Sequence, residues 1–262
     1  MTDSRPTRAE LASTLSAAGC VAADEEADEL LAACGDDPAR LAALVERRRA
    51  GEPLAWLTGT VQFAETTLRV EPGVYVPRWQ SNELARLAIA ALPERGSAAD
   101  VCTGSGALAA AINAARPDAR VVATDRSSTA VDNARANGVE AFCGDLFSPL
   151  PEALRHTLDV VVAVAPYVPT PELALLPRDT LAYEDAALYD GGPDGLDVIR
   201  RIVDESPRWL RPGGTLLLEL GGNQSTALAP DLERAGFGPV ETWTDEDGDL
   251  RGLRAELVDA PG

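Results

Sequence analysis

The sequence predicts an α/β protein, in which a small N-terminal helical domain precedes a doubly wound, mostly parallel sheet with an antiparallel final strand. Three observations predict it. Residues 7 to about 50 carry helical patterning throughout. From residue 97 onward, short apolar segments alternate with helix-patterned ones. The chain closes on two strand-like segments joined by an acidic Asp-Gly turn, the signature of a hairpin. With 262 residues there is room for one sizeable domain and a small one. The expected division is residues 1–58, helical; 59–78, a β-hairpin linker; and 79–262, the sheet domain.

Three helices are expected at the start. TRAELASTLSAAG (7–19) has apolar positions near helical spacing and stops at a glycine. DEEADELLAAC (24–34) places acids in its first turn, where the helix dipole favours them. PARLAALVERRRAG (38–51) opens on proline and ends in arginines and glycine. TVQFAETTLRVEPGVYVP (60–77) alternates apolar and polar residues around Glu71-Pro72-Gly73 and reads as a hairpin. SAADVC (97–102), RVVATD (120–125), VEAFCGD (139–145), LDVVVAV (158–164) and TLLLEL (215–220) read as strands. ALAAAINAARP (107–117), STAVDNARANG (128–138) and LDVIRRIVDESPRWLRPGG (196–214) read as the helices between them. PVETWTDEDGDLRGLRAELV (239–258) reads as the closing hairpin.

Composition narrows the function classes. Apolar residues make up 45%, enough to bury a core. No apolar run approaches the ~20 residues of a membrane span, and MTDSRPTRAELAS has no apolar segment of a secretory signal. Cys20, Cys34, Cys102 and Cys143 are scattered without metal-ligand spacing, which fits a reducing, cytoplasmic setting and no metal. The lone His156 reads as a surface loop residue. Net charge is −19 and all 23 basic residues are arginine. Phosphate backbones repel such a surface, so direct nucleic-acid binding is not expected, whereas a basic protein partner is compatible with it.

The chemistry concentrates after the first expected strand. In D100-V-C-T-G-S-G106, Gly104 and Gly106 let the backbone turn sharply against a ligand, and the following helix N-terminus offers free N–H groups. Asp125 ends the next strand, 19 residues after Gly106, where a carboxylate accepts both hydroxyls of a ribose. Loop, spaced acid and strand context together point to a nucleoside-type ligand. A dinucleotide loop would carry a third small residue, and Ala109 satisfies the looser form of that fingerprint, so this feature does not discriminate. Asp100, ahead of the loop, suits a cationic amino-acid moiety, and Gly144-Asp145-Leu146 after the third strand suits an adenine edge.

This arrangement resembles Rossmann-like class I S-adenosyl-L-methionine methyltransferases. GEPLAWLTG (51–59), PGVYVPR (72–78), VCTGSGALA (101–109), GDLF (144–147), APYVP (165–169) and DGGPDGLDVIRRI (190–202) are similar to the HemK/PrmC family of protein N5-glutamine methyltransferases. The resemblance covers nearly the whole chain. It implies S-adenosyl-L-methionine as cofactor, held by Asp100, Thr103, Gly104 and Gly106 and by Asp125, Arg126, Asp145 and Leu146. It implies the GGQ glutamine of a peptide-chain release factor as acceptor, with the N-terminal helices contacting that partner. In the family an Asn-Pro-Pro-Tyr motif holds the acceptor nitrogen in line with the methyl group, catalysis by orientation. Here Val164, Ala165, Pro166 and Tyr167 stand at those positions, so Val164, Pro166 and Tyr167 are the expected catalytic positions and Val164 offers no acceptor atom. Cys102 replaces the first loop glycine, and PRWQSN (77–82) replaces PRPETE. Three readings follow: glutamine methylation retained, a small-molecule acceptor instead, or cofactor binding without transfer.

Overall fold

The computed structural model describes residues 5–176 and 178–258. Four helices come first: α1 (Arg8–Ala17), α2 (Ala23–Cys34), α3 (Pro38–Arg49) and the short α4 (Leu54–Thr58). Thr7 caps α1 through a capping box with Glu10, and Asp37 caps α3, with Pro38 in the first turn where its missing N–H has no partner to lose. Their apolar faces meet in one cluster that includes Leu11, Leu15, Leu30, Leu41 and Leu44. Glu26 and Arg48 form a bidentate, largely buried ion pair across α2 and α3, at 2.6 and 3.0 Å.

The hairpin β1 (Thr60–Phe63) and β2 (Thr66–Arg69) follows. It turns at Ala64-Glu65, both at positive φ (44° and 65°), and not at Glu71-Pro72-Gly73 as expected. A two-residue turn of this hand matches the strand twist. Asn82 Oδ1 accepts the Ala64 N–H at 3.1 Å and steadies it. Pro72 has no N–H for a ladder, so Glu71-Pro72-Gly73 makes a separate turn beyond the hairpin, closed by Val74 N donating to Glu71 O.

A seven-stranded sheet carries the rest. In chain order the elements are α5 (Asn82–Ala91), β3 (Ser97–Val101), α6 (Ala107–Ala115), β4 (Arg120–Asp125), α7 (Ser128–Ala136), β5 (Glu140–Cys143) and β6 (Leu158–Ala163). Then come α8 (Arg178–Tyr183), α9 (Asp197–Glu205), β7 (Leu210–Glu219), α10 (Gln224–Arg234), β8 (Phe237–Thr244) and β9 (Leu250–Leu257). Strand order is β5-β4-β3-β6-β7-β9-β8, parallel from β5 to β7, with β9 antiparallel to β7 and β8 antiparallel to β9. Alternate strand residues serve opposite faces. Val160, Val162 and Leu217 pack with α5, α6 and α7, while Val161, Leu216 and Leu218 pack with α9 and α10.

The helix expected over 196–214 ends early, at Glu205. Pro207 sits in a 3₁₀ turn after it, and β7 already begins at Leu210, paired with Leu158. Between that pair and Val160–Thr215 the register shifts, so Pro212-Gly213-Gly214 is an irregularity inside β7 and not a helix exit. The chain order reverses direction across β3 and β6, and ligands of such sheets bind outside the carboxyl ends of strands at that point.

Candidate functional site

The β3–α6 connection is one tight structure. Cys102, Gly104 and Gly106 all have positive φ (62°, 55° and 83°). Cys102 is thus a β-carbon residue in a conformation that favours glycine, which costs about 1–2 kcal/mol. Gly106 has a second reason: a Cβ there would lie 2.9 Å from that of Ala134, so glycine lets α6 and α7 approach. Asp100 is 1% exposed, and its Oδ2 accepts from Thr103 Oγ1 (2.6 Å) and Ala109 N (3.2 Å), pinning the loop to the first turn of α6. Burial pushes the Asp100 carboxyl up to about 7, against those two hydrogen bonds and with some help from Asp125. Burial and the carboxylates of Asp125 and Asp100 also raise the Cys102 thiol, keeping it protonated and unreactive at neutral pH.

Asp125 closes β4 beside this loop. Its Oδ2 accepts from Gly104 N and its Oδ1 from Ser127 N, both at 2.9 Å. Each oxygen keeps a lone pair, the capacity that two vicinal hydroxyls need. Thr124, the preceding residue, is 1% exposed and its Oγ1 has no partner. Gly144 N donates to Asp125 O, bringing Asp145 and Leu146 alongside. Asp145 pairs with Arg201 of α9 at 2.5 Å, and Leu146 is buried at a positive φ of 46°. A cavity of about 500 Å³ opens over these residues, in the size range of nucleoside-sized ligand sites. The two Asp125 lone pairs and the N-terminus of α6 fit a nucleoside-bearing cofactor.

The other half of the same cavity is built where β6 ends. Val164, Pro166 and Tyr167 line it together with Tyr75, Arg78 and Gln80. The Pro166-Tyr167 segment is tied down on several sides. Gln224 Nε2 donates to the Tyr167 carbonyl at 2.7 Å, Val168 N to Tyr189 O, and Gly191 N to Val168 O. The DGGPDG stretch packs so closely that a Cβ on Gly195 would sit 2.2 Å from the Tyr167 carbonyl oxygen. The Tyr167 hydroxyl donates to Glu219 Oε1 (3.1 Å), and Ser81 Oγ donates to Glu219 Oε2 (2.6 Å). Burial raises Glu219 above the usual carboxylate range, and burial with the neighbouring Glu219 raises Tyr167 far above neutrality, so its ring stays an uncharged phenol. Arg78, which lines the same cavity, donates to Glu184 Oε1 (2.8 Å) and Tyr189 Oη (2.9 Å), and Tyr75 meets Tyr189 edge-on with ring centres 5.7 Å apart.

Of the sequence-predicted residues, Gly104, Asp125, Arg126, Asp145 and Leu146 meet Val164, Pro166 and Tyr167 around one cavity. Asp100, Thr103 and Gly106 are buried and are not among the residues lining it; they shape the loop that is. Asp100 Oδ1 has no partner and is shut off from solvent. Sequence reasoning misses Ser81, Glu184, Glu219 and Gln224. Glu219 has a signal, a single acid near the end of the apolar strand TLLLEL; the other three are ordinary polar residues until the fold brings them to the loop. His156 is exposed, as expected. Among the described residues no cluster of potential metal ligands occurs and no helix is long and apolar enough to cross a membrane.

The chain has relatives among known proteins. Residues 65–167 match the family model described as "Methyltransferase small domain". A release factor glutamine methyltransferase of Geobacter sulfurreducens is 36% identical over 81% of this chain and 77% of its own length. One of Mycolicibacterium smegmatis is 42% identical over 70% of this chain and 68% of its own. Among solved structures, the E. cuniculi Mtq2–Trm112 complex, described as responsible for methylating the termination factor eRF1, superposes with a TM-score of 0.52 at 23% identity, over 70% of this chain and 98% of that one, a likeness of fold.

Proposed function

The chain belongs to the release factor glutamine methyltransferase family, and from that premise we propose that it methylates the side-chain amide nitrogen of the glutamine in the GGQ loop of a peptide-chain release factor. It is an S-adenosyl-L-methionine-dependent methyltransferase. When bound, the cofactor supplies an electrophilic methyl group. Everything else falls to the protein. Asp125 and the Gly104 turn would hold the nucleoside, with Arg126, Asp145 and Leu146 lining the same cavity. Asp100 would act at one remove by fixing Thr103 and α6.

An amide nitrogen is a poor nucleophile because its lone pair is delocalised into the carbonyl. Orientation is therefore the main lever, and well-oriented groups gain several kcal/mol of barrier. The observation that carries this reading is the rigid Pro166-Tyr167 edge, sharing one cavity with Asp125 and Gly104. A phenol ring held at its hydroxyl and at its backbone carbonyl gives a planar carboxamide a fixed surface to stack on. The N-terminal helices α1–α3, with their own apolar cluster, are proposed as the surface that engages the body of the release factor.

The test is transfer of a labelled methyl group to a purified release factor, followed by mass mapping of the modified residue. The wild type is expected to modify the GGQ glutamine, and Tyr167→Ala to lower kcat by about 100-fold, in line with the loss of a preorganised catalytic contact. Labelling of a small molecule with none on the release factor would overturn the reading, as would cofactor binding without transfer to either.

A further inference from the structure

A second cavity, of about 250 Å³, lies where the N-terminal helices meet the sheet domain. Glu29 of α2, Arg48 of α3 and Val61 of β1 line it, together with Arg78, Thr180 of α8 and Glu184. Arg78 and Thr180 also line the larger cavity, so the two adjoin. Its volume is below the roughly 300–1,000 Å³ of small-molecule sites and suits a single side chain. Its charges are unevenly matched. Arg48 is held by Glu26 through two hydrogen bonds (2.6 and 3.0 Å), and Arg78 by Glu184 (2.8 Å). Glu29 is open to solvent, and among the described residues it has no hydrogen-bond or ion-pair partner. Desolvation and the neighbouring Glu26 carboxylate raise the Glu29 carboxyl above its ordinary value, as befits a charge with a like neighbour and no compensating cation.

We propose that this second cavity receives an arginine or lysine side chain that flanks the acceptor glutamine on the release factor, with the Glu29 carboxylate accepting its hydrogen bonds; this rests on the glutamine reading above. A polypeptide whose glutamine occupies the larger cavity has neighbouring side chains within reach of the second, past Arg78 and Thr180. The walls select a cation. Both guanidinium groups already have a carboxylate, so an anion finds no uncommitted positive charge, whereas neither Glu29 oxygen is engaged. Val61 gives the methylene stem of a long basic side chain an apolar surface to lie along. The net charge of −19 favours the approach of a basic partner. The contact lies outside the cavity where the methyl group is transferred, so it holds substrate and transition state alike and strengthens binding without changing the chemical step. Two contacts on one polypeptide reinforce each other, because the second raises the effective concentration of the glutamine at the first.

The experiment measures kcat and KM on the release factor for wild type, Glu29→Gln and Glu29→Arg, with S-adenosylhomocysteine affinity from calorimetry and thermal unfolding from circular dichroism. Glu29→Gln is expected to raise KM about five- to ten-fold with kcat within about two-fold of wild type, the pattern of lost uniform binding. Cofactor-product affinity within about two-fold and an unchanged unfolding midpoint are expected of both variants, because an exposed side chain without partners supports little of the fold. Glu29→Arg should raise KM at least about thirty-fold, since repulsion replaces attraction. Arg→Glu and Lys→Glu substitutions are then made one at a time in the release factor within about ten residues of the glutamine, about 35 Å of extended chain. One of them should recover at least about ten-fold of the KM loss with Glu29→Arg while weakening the wild-type enzyme, the signature of a direct pair. An active wild type with KM unmoved in Glu29→Gln overturns the subsite and leaves the glutamine reading standing. So does a KM defect in Glu29→Arg that no charge reversal relieves. A wild type that leaves the release factor unmodified overturns the glutamine reading, and the occupant assigned to this subsite with it.

Discussion

Asp125 and Asp100 lie on adjacent strands and have opposite roles. Asp125 is satisfied by one backbone N–H per oxygen and keeps a lone pair on each for a ligand. Asp125→Ala should weaken S-adenosylhomocysteine by about 1.5–3 kcal/mol, the range for hydrogen bonds to a charged group, measured by calorimetry. Asp100 is buried and has one unpaired oxygen, and its carboxyl titrates at about 7 in the fold against an ordinary 3.8. The folded state therefore binds this proton more tightly than the unfolded chain, and the stability tied to it is full below about pH 4 and lost as pH rises through 7. Asp100→Asn cannot ionise but keeps an acceptor for Thr103. Its stability relative to wild type should rise by about 1.4 kcal/mol per pH unit across that window, on the order of 4 kcal/mol in all, and flatten above it. Urea denaturation at pH 5, 6, 7 and 8 measures this; a difference independent of pH would show that Asp100 ionises normally.

At the scale of elements, the hairpin is the informative piece. Phe63 and Leu68 are buried with α5 and α6 against the sheet, and Trp56 of α4 packs on Val70, Val74 and Val76 and donates to the Val74 carbonyl at 3.0 Å. α1–α3 instead bury their leucines against one another and Leu57. A chain starting at residue 51 keeps Trp56 and the hairpin, so it should still bind S-adenosylhomocysteine within about three-fold of the full chain, because the sheet buries its own apolar faces. Its KM for release factor should rise at least ten-fold if α1–α3 form the recognition surface. Methylation at the full-chain rate would assign them a different role. Sequence alone misplaces the turn of this hairpin because Pro-Gly is a strong turn signal, whereas Ala64-Glu65 adopts positive φ with no glycine to announce it. Its conformation is imposed by the Phe63–Thr66 pairing and by Asn82 from another element. α5 is legible in principle from Leu84, Ala85 and Ala88, and α10 is obscured by Pro230 within it.

Across the whole molecule a charge of −19 sets the electrostatics. Most ion pairs of the fold are exposed, such as Arg8 with Asp24 and Asp28, and such pairs contribute roughly 0–1 kcal/mol each. Self-repulsion of the excess acids acts over the whole surface and is screened within about 10 Å at 0.1 M salt. Repulsion should therefore outweigh the pairs, and Tm should rise by several degrees between 10 mM and 0.5 M sodium chloride. A falling Tm would mean that the ion pairs dominate.

The sequence by itself determined the α/β class, the parallel core with an antiparallel end, the glycine turn, its partner Asp125 and the Pro-Tyr strand end. These rest on local information: periodicity, glycine where the backbone needs positive φ, and acids at strand ends. It also showed that Val164 lacks an acceptor. Only the tertiary structure decided which side chains hold the Tyr167 ring and its backbone in place beside it. Ser81, Glu219 and Gln224 come from regions far apart in the chain, and nothing near Ser81 announces that Glu219, 138 residues away, will accept its hydroxyl. The physical reason is that burial and hydrogen-bond satisfaction are properties of the packed molecule. The Tyr167 hydroxyl meets Glu219, and its carbonyl meets Gln224, only once the strands and α10 have packed together.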